Sequence, residues 1–423
     1  MAKKGKKLIA GLDIGSSFIR MAVGQLAAKD GGDELQILSA AEVPSEGVYK
    51  GSVKSIEDAV SSISACYEKV EQAAGAPVES VFVGVSGPQI VYQDSKGVIA
   101  VSKADNEISS EDTERAVEAA RTIAAPLNYD ILDVLPLSFS VDGQTGIKDP
   151  IGMTGMRLEV DTKIILCPSI QIKNLTKAVY RSGLEIDGLV FSILASAEAV
   201  VSKRQKEIGV AVVNIGHSTT SMAVFEEDNI LHTVVIPEGS VHITNDIAIG
   251  LRNPIEIAEE VKIKFGGCFS DMANRKDEID LYEAGAAEHE KVRSKYVSEI
   301  IEARMEQILQ KIENELISIQ RAGRLPAGIV FTGAGAKLPG LTELAKKQLR
   351  LPAMLGYPVN LISITDKVND LGFSTAVGLV KMGFSEEDGD RIIGGGLKNL
   401  SGKVNKASNT VKKWFDSLLS QGV

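Results

Sequence analysis

Residues 8–25, LIAGLDIGSSFIRMAVGQ, join two apolar runs through Asp13-Ile14-Gly15-Ser16-Ser17, the pattern of strand, tight turn and strand. Gly15 accepts the positive φ that a hairpin turn uses. Ser16 and Ser17 add hydroxyls beside exposed backbone N–H groups, so the turn is suited to cradle phosphate oxygens. Asp13, at the end of the first strand, would stand beside that site. Alone, the run reads as an ordinary hairpin. A second copy changes the reading: residues 12–23 (LDIGSSFIRMAV) align without gaps on residues 213–224 (VNIGHSTTSMAV), sharing Ile, Gly and Ser and then Met-Ala-Val. Such duplication predicts two similar domains facing each other, with a phosphate chain clamped between the turns.

The length suits that reading, because 423 residues exceed what one core organises and fit two lobes. With 44% hydrophobic and 24% charged residues, the composition is that of a soluble globular protein. The 46 basic and 56 acidic residues give −10, which argues against a nucleic-acid partner held by bulk charge. Charge is uneven: residues 397–423 carry five Lys and one Asp, +4, which leaves −14 on the remainder. Cys66, Cys167 and Cys268 are far apart in apolar or glycine-rich contexts and read as reduced core cysteines of a cytoplasmic protein. His217, His232, His242 and His289 form no metal-ligand motif. Lys3, Lys4, Lys6 and Lys7 precede no long apolar run, because Asp13 interrupts the strand. Neither a signal peptide nor a transmembrane helix is expected, so membrane contact would be peripheral.

Along the chain, residues 35–43 read as a strand and 46–51 as a turn. Residues 56–74 carry a helical apolar stripe that Gly75-Ala76-Pro77 ends, and 81–85 form a short buried strand. From Ser86 the pattern changes. Residues 90–92, 97–101, 131–141 and 156–160 are strand-like, and Ser109 caps a helix running to Ile123 with Glu111 and Asp112 in its first turn. No catalytic constellation is visible in this inserted region, which reads as a protein-contact surface. A strand resumes at 163–167, followed by a helix at 172–182, a strand at 189–193 and the small-residue helix Ala195-Ser196-Ala197-Glu198, which would let two domains approach closely at a hinge. After the second hairpin, 239–250 and 254–265 are helical, 271–290 reads as charged, exposed sequence, and 297–319 is a long amphipathic helix. Gly328-Ile329-Val330-Phe331-Thr332 runs into Gly333-Ala334-Gly335-Ala336, a strand ending in a glycine turn before the helix 341–349, which suits an α-phosphate or adenosine. Residues 373–382 form the last packed helix.

From Gly383 the composition turns to acidic residues, then Gly394-Gly395-Gly396, then Ser, Asn and Lys, as in a flexible linker. Beyond it, Val411, Trp414, Phe415, Leu418 and Leu419 fall on one helical stripe, flanked by Lys412 and Lys413. A stripe of this kind usually marks core. Here the helix is short, tethered beyond a spacer and carries the only Trp, and short isolated helices are marginal in water. The segment reads as an interfacial anchor that folds as Trp and Leu enter the headgroup boundary and Lys meets anionic lipid.

The paired hairpins are similar to the phosphate 1 and phosphate 2 motifs of the actin, Hsp70 and sugar-kinase superfamily. The whole chain resembles the FtsA family of bacterial cell-division proteins within it, through GLDIGSS (11–17), GVYKGSV (47–53), VFVGVSG (81–87), GIKDPIGMTGMRLEV (146–160), LASAEAV (194–200), HTVVIPEGSVHITNDIAIGL (232–251), VKIKFG (261–266) and STAVGL (374–379). That resemblance implies an α/β, actin-like two-lobed fold of duplicated ribonuclease-H-like domains, with a subdomain inserted in lobe one. It implies lobe one at 1–85, the insertion at 86–162, lobe one again at 163–195, lobe two at 196–238, its outer subdomain at 239–305 and its continuation at 306–358, a last piece of lobe one at 359–383, the linker at 384–408 and the membrane-targeting helix at 409–423.

It also implies ATP and Mg²⁺ in the central cleft. Gly15, Ser16, Ser17, Arg20, Asn214, Gly216, His217, Ser218, Thr219, Glu259, Lys262, Gly333, Ala334, Gly335 and Lys337 would hold the nucleotide, and Asp13 would serve catalysis and hold the metal through water. Head-to-tail filaments, attachment to the cytoplasmic face of the inner membrane at the septum, and other division partners at the inserted subdomain are implied as well. The acidic C-terminal tail of the tubulin-like protein FtsZ would be received near Arg304, with Lys295 as a weaker neighbour. Departures matter too. The family's D-I-G-G-G-T-T-D is Asn214-Ile215-Gly216-His217-Ser218-Thr219-Thr220-Ser221 here, and the acid usual before L-A-S-A is Ser192. Most acids that would position hydrated Mg²⁺ or a water are gone, so ATP would be bound and turned over slowly or not at all. A PilM-like pilus-assembly adaptor and a small-molecule kinase of the same superfamily are the competing readings.

Overall fold

The computed structural model of the protein describes residues 8–29, 32–102, 105–122, 126–270 and 277–387. The expected linker from 388 on, the amphipathic helix 409–423 and Ile123, the expected end of the helix capped at Ser109, lie outside the described residues.

Lobe one opens with the antiparallel meander β1 (Ile9–Ile14), β2 (Phe18–Lys29) and β3 (Gly32–Pro44). The region expected to be a turn after it is a two-stranded ribbon, β4 (Val48–Tyr49) and β5 (Ser52–Val53). Lys50 and Gly51 turn its corner at positive φ. Helix α1 (Ile56–Ala74) starts where the Ser55 hydroxyl accepts the Asp58 N–H, with Glu57 and Asp58 complementing the helix dipole, and it stops at Gly75 in the left-handed conformation. Strand β6 (Ser80–Val85) then lies parallel to β1.

The inserted unit holds β7 (Val91–Ala100), α2 (Ser110–Arg121), β8 (Tyr129–Val141), β9 (Gln144–Ile147) and β10 (Arg157–Pro168) in a sheet of order β7-β10-β8-β9. Two expected pairs of short strands are single strands here. Residues 90–92 and 97–101 belong to one β7, and 156–160 and 163–167 belong to one β10 that runs across the expected boundary at 162 and pairs with β7 and β8 over most of its length. The charged residues that interrupt the apolar pattern, such as Asp94, Lys96, Glu159 and Asp161, point to the face not covered by α2 and pair across strands. Lys96 Nζ lies 2.8 Å from Glu159 and 3.7 Å from Asp161.

Helix α3 (Ser169–Arg181), β11 (Glu185–Phe191), α4 (Ser192–Val200) and α5 (Lys203–Ile208) return to lobe one and lead into lobe two. There β12 (Val210–Ile215), β13 (Thr220–Glu226) and β14 (Asn229–Ile236) repeat the opening meander, followed by α6 (Ser240–Leu251) and α7 (Ile255–Phe265). The stretch expected to be merely exposed contains β15 (Glu278–Asp280) and β16 (Lys291–Arg293), a small ribbon that buries Ile279, with Leu281 and Ala284 buried beside it. Then come α8 (Ser294–Ser318), β17 (Ile329–Thr332), α9 (Leu341–Leu349), β18 (Ala353–Leu355), β19 (Ile362–Ser363) and α10 (Ser374–Glu387).

The duplication extends from hairpin to sheet. Lobe one is ordered β11-β6-β1-β2-β3-β19 and lobe two β14-β13-β12-β17-β18, so each central strand has an antiparallel neighbour on one side and a parallel one on the other. Between the lobes, α4 and α10 pack backbone to backbone: a Cβ built on Gly378 would stand 1.7 Å from the Ala195 carbonyl oxygen. The small residues of α4 thus do what their size predicts. Helix α10 continues past the expected linker start at 384, with Phe384 buried and Gly383 packed on Phe82 and Ile9.

Candidate functional site

The two hairpins share one register, Asp13 facing Arg20 as Asn214 faces Ser221. Their turns close in the same way, Gly15 N–H donating to the Phe18 carbonyl (3.1 Å) and Gly216 N–H to that of Thr219 (2.9 Å), and neither glycine takes the positive φ expected at Gly15. They meet across the lobes. The Ser218 hydroxyl donates to Ser16 Oγ (2.8 Å) and accepts the Lys50 N–H (3.2 Å). Beside this contact lies a cleft of about 410 Å³. It brings together Asp13, Gly15, Ser16, Ser17 and Arg20 from lobe one with Asn214, Gly216, His217, Ser218 and Thr219 from lobe two; Glu259 and Lys262 on α7 and Gly333, Ala334, Gly335 and Lys337 after β17 complete it. Sequence reasoning did not single out Glu42, Gly51, Ser86, Ser240, Gly372 and Thr375, which also line the cleft. Gly51, Ser86, Ser240 and Thr375 sit in four of the phrases that carry the family resemblance, and that was the available signal.

Glycine is required where backbone lies on backbone. Gly333 has φ +84°, and a Cβ there would stand 2.6 Å from the Ile215 carbonyl oxygen and 2.2 Å from the Asn214 side chain's Oδ1. The turn that follows is a single 3₁₀ turn over Ala334–Lys337, so the glycine turn does not open directly onto α9 as expected. Gly239 is pressed on the second hairpin, and Ser240 and Val241 at the start of α6 donate to the Gly216 and His217 carbonyls.

The cleft's cations already have partners. Arg20 Nε donates to Glu42 (2.9 Å), and its guanidinium lies against the rings of Phe18 and Phe373. Lys262 donates to Glu259 (2.6 Å) and Thr244 (2.8 Å); burial pulls its pKa down while Glu259 opposes. Lys337 pairs with Asp370. Burial raises the Asp13 carboxyl to about 6, with Arg20 opposing. Burial also lowers His217, as do Lys262 and His242, while Glu259 opposes.

Where the family's second hairpin opens with an acid, the Asn214 amide donates to Ser196 Oγ (3.0 Å) and Thr375 Oγ1 (3.3 Å). Ser192 and Ser221 line the cleft without charge. Glu42 and Glu259 are committed to Arg20 and Lys262, which leaves Asp13 to meet a cation. One carboxylate fits Mg²⁺, which keeps several waters and leans on its ligand's phosphates. No cluster of three or more His, Cys, Asp or Glu is placed to hold a metal among the described residues.

Two predicted residues lie outside the cleft. Arg304, on α8, makes a two-pronged pair with Asp246 of α6 (2.5 and 2.9 Å) and donates to Gln307. Lys295 approaches Glu299 at 3.9 Å. Ile249 and Tyr296 are exposed on the same two helices, Ile249 to 76%. Val411, Lys412, Lys413, Trp414, Phe415, Leu418 and Leu419 lie outside the described residues. All three cysteines are free and buried, and no described helix is long and apolar enough to cross a membrane.

Residues 211–378 match the family model described as cell division protein FtsA, and residues 87–166 match that of the SHS2 domain inserted in FtsA. The cell division protein FtsA of Pseudomonas aeruginosa is 36% identical over 381 residues, covering 90% of each chain. Among solved structures, the PilM–PilN type IV pilus biogenesis complex superposes with a TM-score of 0.60 at 17% identity, over 89% of this chain and 98% of that one. MreB5 of Spiroplasma citri bound to AMPPNP does so with a TM-score of 0.53 at 12% identity, over 90% and 97%. These two likenesses concern the fold, which is actin-like and two-lobed.

Proposed function

The chain belongs to the FtsA family of cell division proteins, and from that premise we propose that it is an ATP-binding scaffold that polymerises and ties FtsZ filaments to the cytoplasmic membrane at the division site. The observation that carries the nucleotide half is the pair of equal-register hairpins meeting across one cleft. Exposed amides and hydroxyls from both lobes converge there, as a phosphate chain requires. Gly333, Gly335 and the Glu259–Lys262 pair line the same cleft, where the adenosine side would rest. When bound, Mg²⁺ would neutralise phosphate charge, with Asp13 as its protein partner through water.

Phosphoryl transfer depends on positioned charge, and Asn214, Ser192 and Ser221 supply none. Nucleotide therefore acts as a wedge that sets lobe closure and filament formation, with weak or absent turnover. The surface of α6 and α8, where the Arg304–Asp246 pair and the exposed Ile249 and Tyr296 lie, suits the acidic tail of FtsZ. Other division partners would meet the inserted subdomain. The stripe at Trp414 and its lysines would bind an anionic membrane surface.

Single-turnover measurement with labelled ATP, Mg²⁺ and anionic vesicles tests the reading. ATP retained uncleaved on protein that pellets with the vesicles supports it. Rapid conversion to ADP would show that Asp13 and the remaining polar groups suffice for hydrolysis. A pulldown with an FtsZ tail peptide separates the scaffold from a pilus adaptor or a kinase.

A further inference from the structure

The phrase GVYKGSV contributes only Gly51 to the cleft lining, yet its ribbon also touches the root of the inserted subdomain. At its corner Lys50 donates its N–H to Ser218 of lobe two. The next residue, Gly51, has φ +72°, and a Cβ there would stand 2.2 Å from the Ser86 carbonyl oxygen, so this loop lies flat on the chain that leads into the insertion. Gln171 clamps the two together. It sits in the first turn of α3, directly after β10 brings the chain out of the insertion. Its buried Nε2 donates to the Gly51 carbonyl (3.0 Å) and to the Ser86 carbonyl (2.6 Å).

Gly87, the next residue on the way in, is at φ +147° with its Cβ direction 3.0 Å from Gln171 Nε2. The amide's other end, Oε1, is buried with no hydrogen-bond partner. An orphan acceptor of this kind costs free energy that packing alone does not explain. One side chain thus joins the loop that feels the second phosphate turn to both strands of chain connecting the inserted subdomain.

We propose that Gln171 couples the phosphate cleft to the orientation of the inserted subdomain, through Ser218, Lys50 and Gly51. The inference rests on the cleft being a nucleotide site. A phosphoryl oxygen is a stronger acceptor than Ser16 Oγ and draws the Ser218 hydroxyl toward itself. The acceptor that holds the Lys50 N–H moves with it, and Gln171 carries that movement to Ser86 and α3. By linkage, whatever a partner does to the inserted subdomain returns to the cleft with equal factor.

The test uses the full chain with cysteines introduced at exposed Glu68 on α1 and Gln144 on β9; the native cysteines are buried and do not compete for spin labels. The label-to-label distance is measured by pulsed electron resonance with and without AMPPNP and Mg²⁺, and AMPPNP binding is measured separately by dialysis. AMPPNP is expected to shift the distance in the parent. Gln171→Met keeps the volume and removes the donor; it is expected to bind AMPPNP and lose the shift. Should that variant melt early, Gln171→Asn, which draws the amide back by one methylene, takes its place. A shift that survives in the variant, or AMPPNP binding without any shift in the parent, overturns the coupling and leaves the nucleotide reading standing. Absence of AMPPNP binding in the parent overturns both.

Discussion

Asp13 ties stability to pH through one buried carboxyl. Burial lifts its carboxyl from 3.8 to about 6, so the folded state holds a proton that the unfolded chain has released between those pH values. The stability this group contributes is complete below the lower value and is lost as pH rises through the upper one. At pH 7 the ionised Asp13 therefore costs up to about 3 kcal/mol. Asp13→Asn is expected to raise the melting temperature at pH 7, to leave it unchanged near pH 4 and to flatten the slope between. Equal slopes in parent and variant would sink this account. The same variant should lose the Mg²⁺ dependence of ATP binding, since it removes the one lining carboxylate without a cationic partner. Asn214 and Ser221 make the complementary case. The amide of Asn214 faces two hydroxyls, Ser196 and Thr375, that can turn to donate instead of accept. The double change Asn214→Asp and Ser221→Asp should therefore fold and raise ATP turnover, by tenfold or so for each ~1.4 kcal/mol of added transition-state stabilisation. Unchanged turnover would mean that the missing acids are not what limits it.

Among elements, the contact of α4 with α10 and that of α6 with α8 carry opposite kinds of constraint. The first is steric. At Gly378 a side chain would meet the Ala195 backbone, which cannot withdraw like the end of a flexible chain. Gly378→Val should lower stability by about 1–3 kcal/mol or more, seen as an earlier thermal transition, although valine forms helix better than glycine. The second is electrostatic and partly exposed. Arg304 spends its planar fork on Asp246, so an incoming acidic peptide must compete with it. Asp246→Asn should tighten binding of an FtsZ tail peptide and Arg304→Glu should abolish it, by calorimetry; weaker binding to the first variant would place the peptide elsewhere. The elements were mostly legible in the sequence because period and punctuation agreed, as in α1 between Ser55 and Gly75. They were misread where cross-strand partners override the local pattern. The breaks in β7 and β10 are charges satisfied by the neighbouring strand, and the ribbon β4–β5 hides in a run of turn residues. The cleft was legible through its glycines and hydroxyls, which must come from the turns themselves. Glu42 and Gly372 reach it only through the pairing of distant elements, which no local pattern encodes.

At the scale of the molecule, charge and tail have to be considered together. The sequence carries −10 in all and +4 over residues 397–423, so the remainder, at −14, is repelled by an anionic surface. The proposed attraction to such a membrane is assigned to the tail, against that repulsion. Two contributions oppose it: roughly 1 kcal/mol for each lysine near the surface, which salt screens, and burial of the apolar side chains, which salt does not weaken. Removing residues 409–423 should abolish pelleting with anionic vesicles and leave the melting temperature unchanged. In the full chain, raising salt should weaken pelleting only in part, whereas Trp414→Glu should remove the salt-resistant portion. Under the proposed reading, filament formation would multiply the effect, because each added subunit would bring another tail to the same surface and turn a weak anchor into an avid one. Vesicle binding is therefore expected to rise steeply with ATP and protein concentration. A linear rise, with equal binding in the presence and absence of nucleotide, would separate the anchor from the cleft and contradict the scaffold.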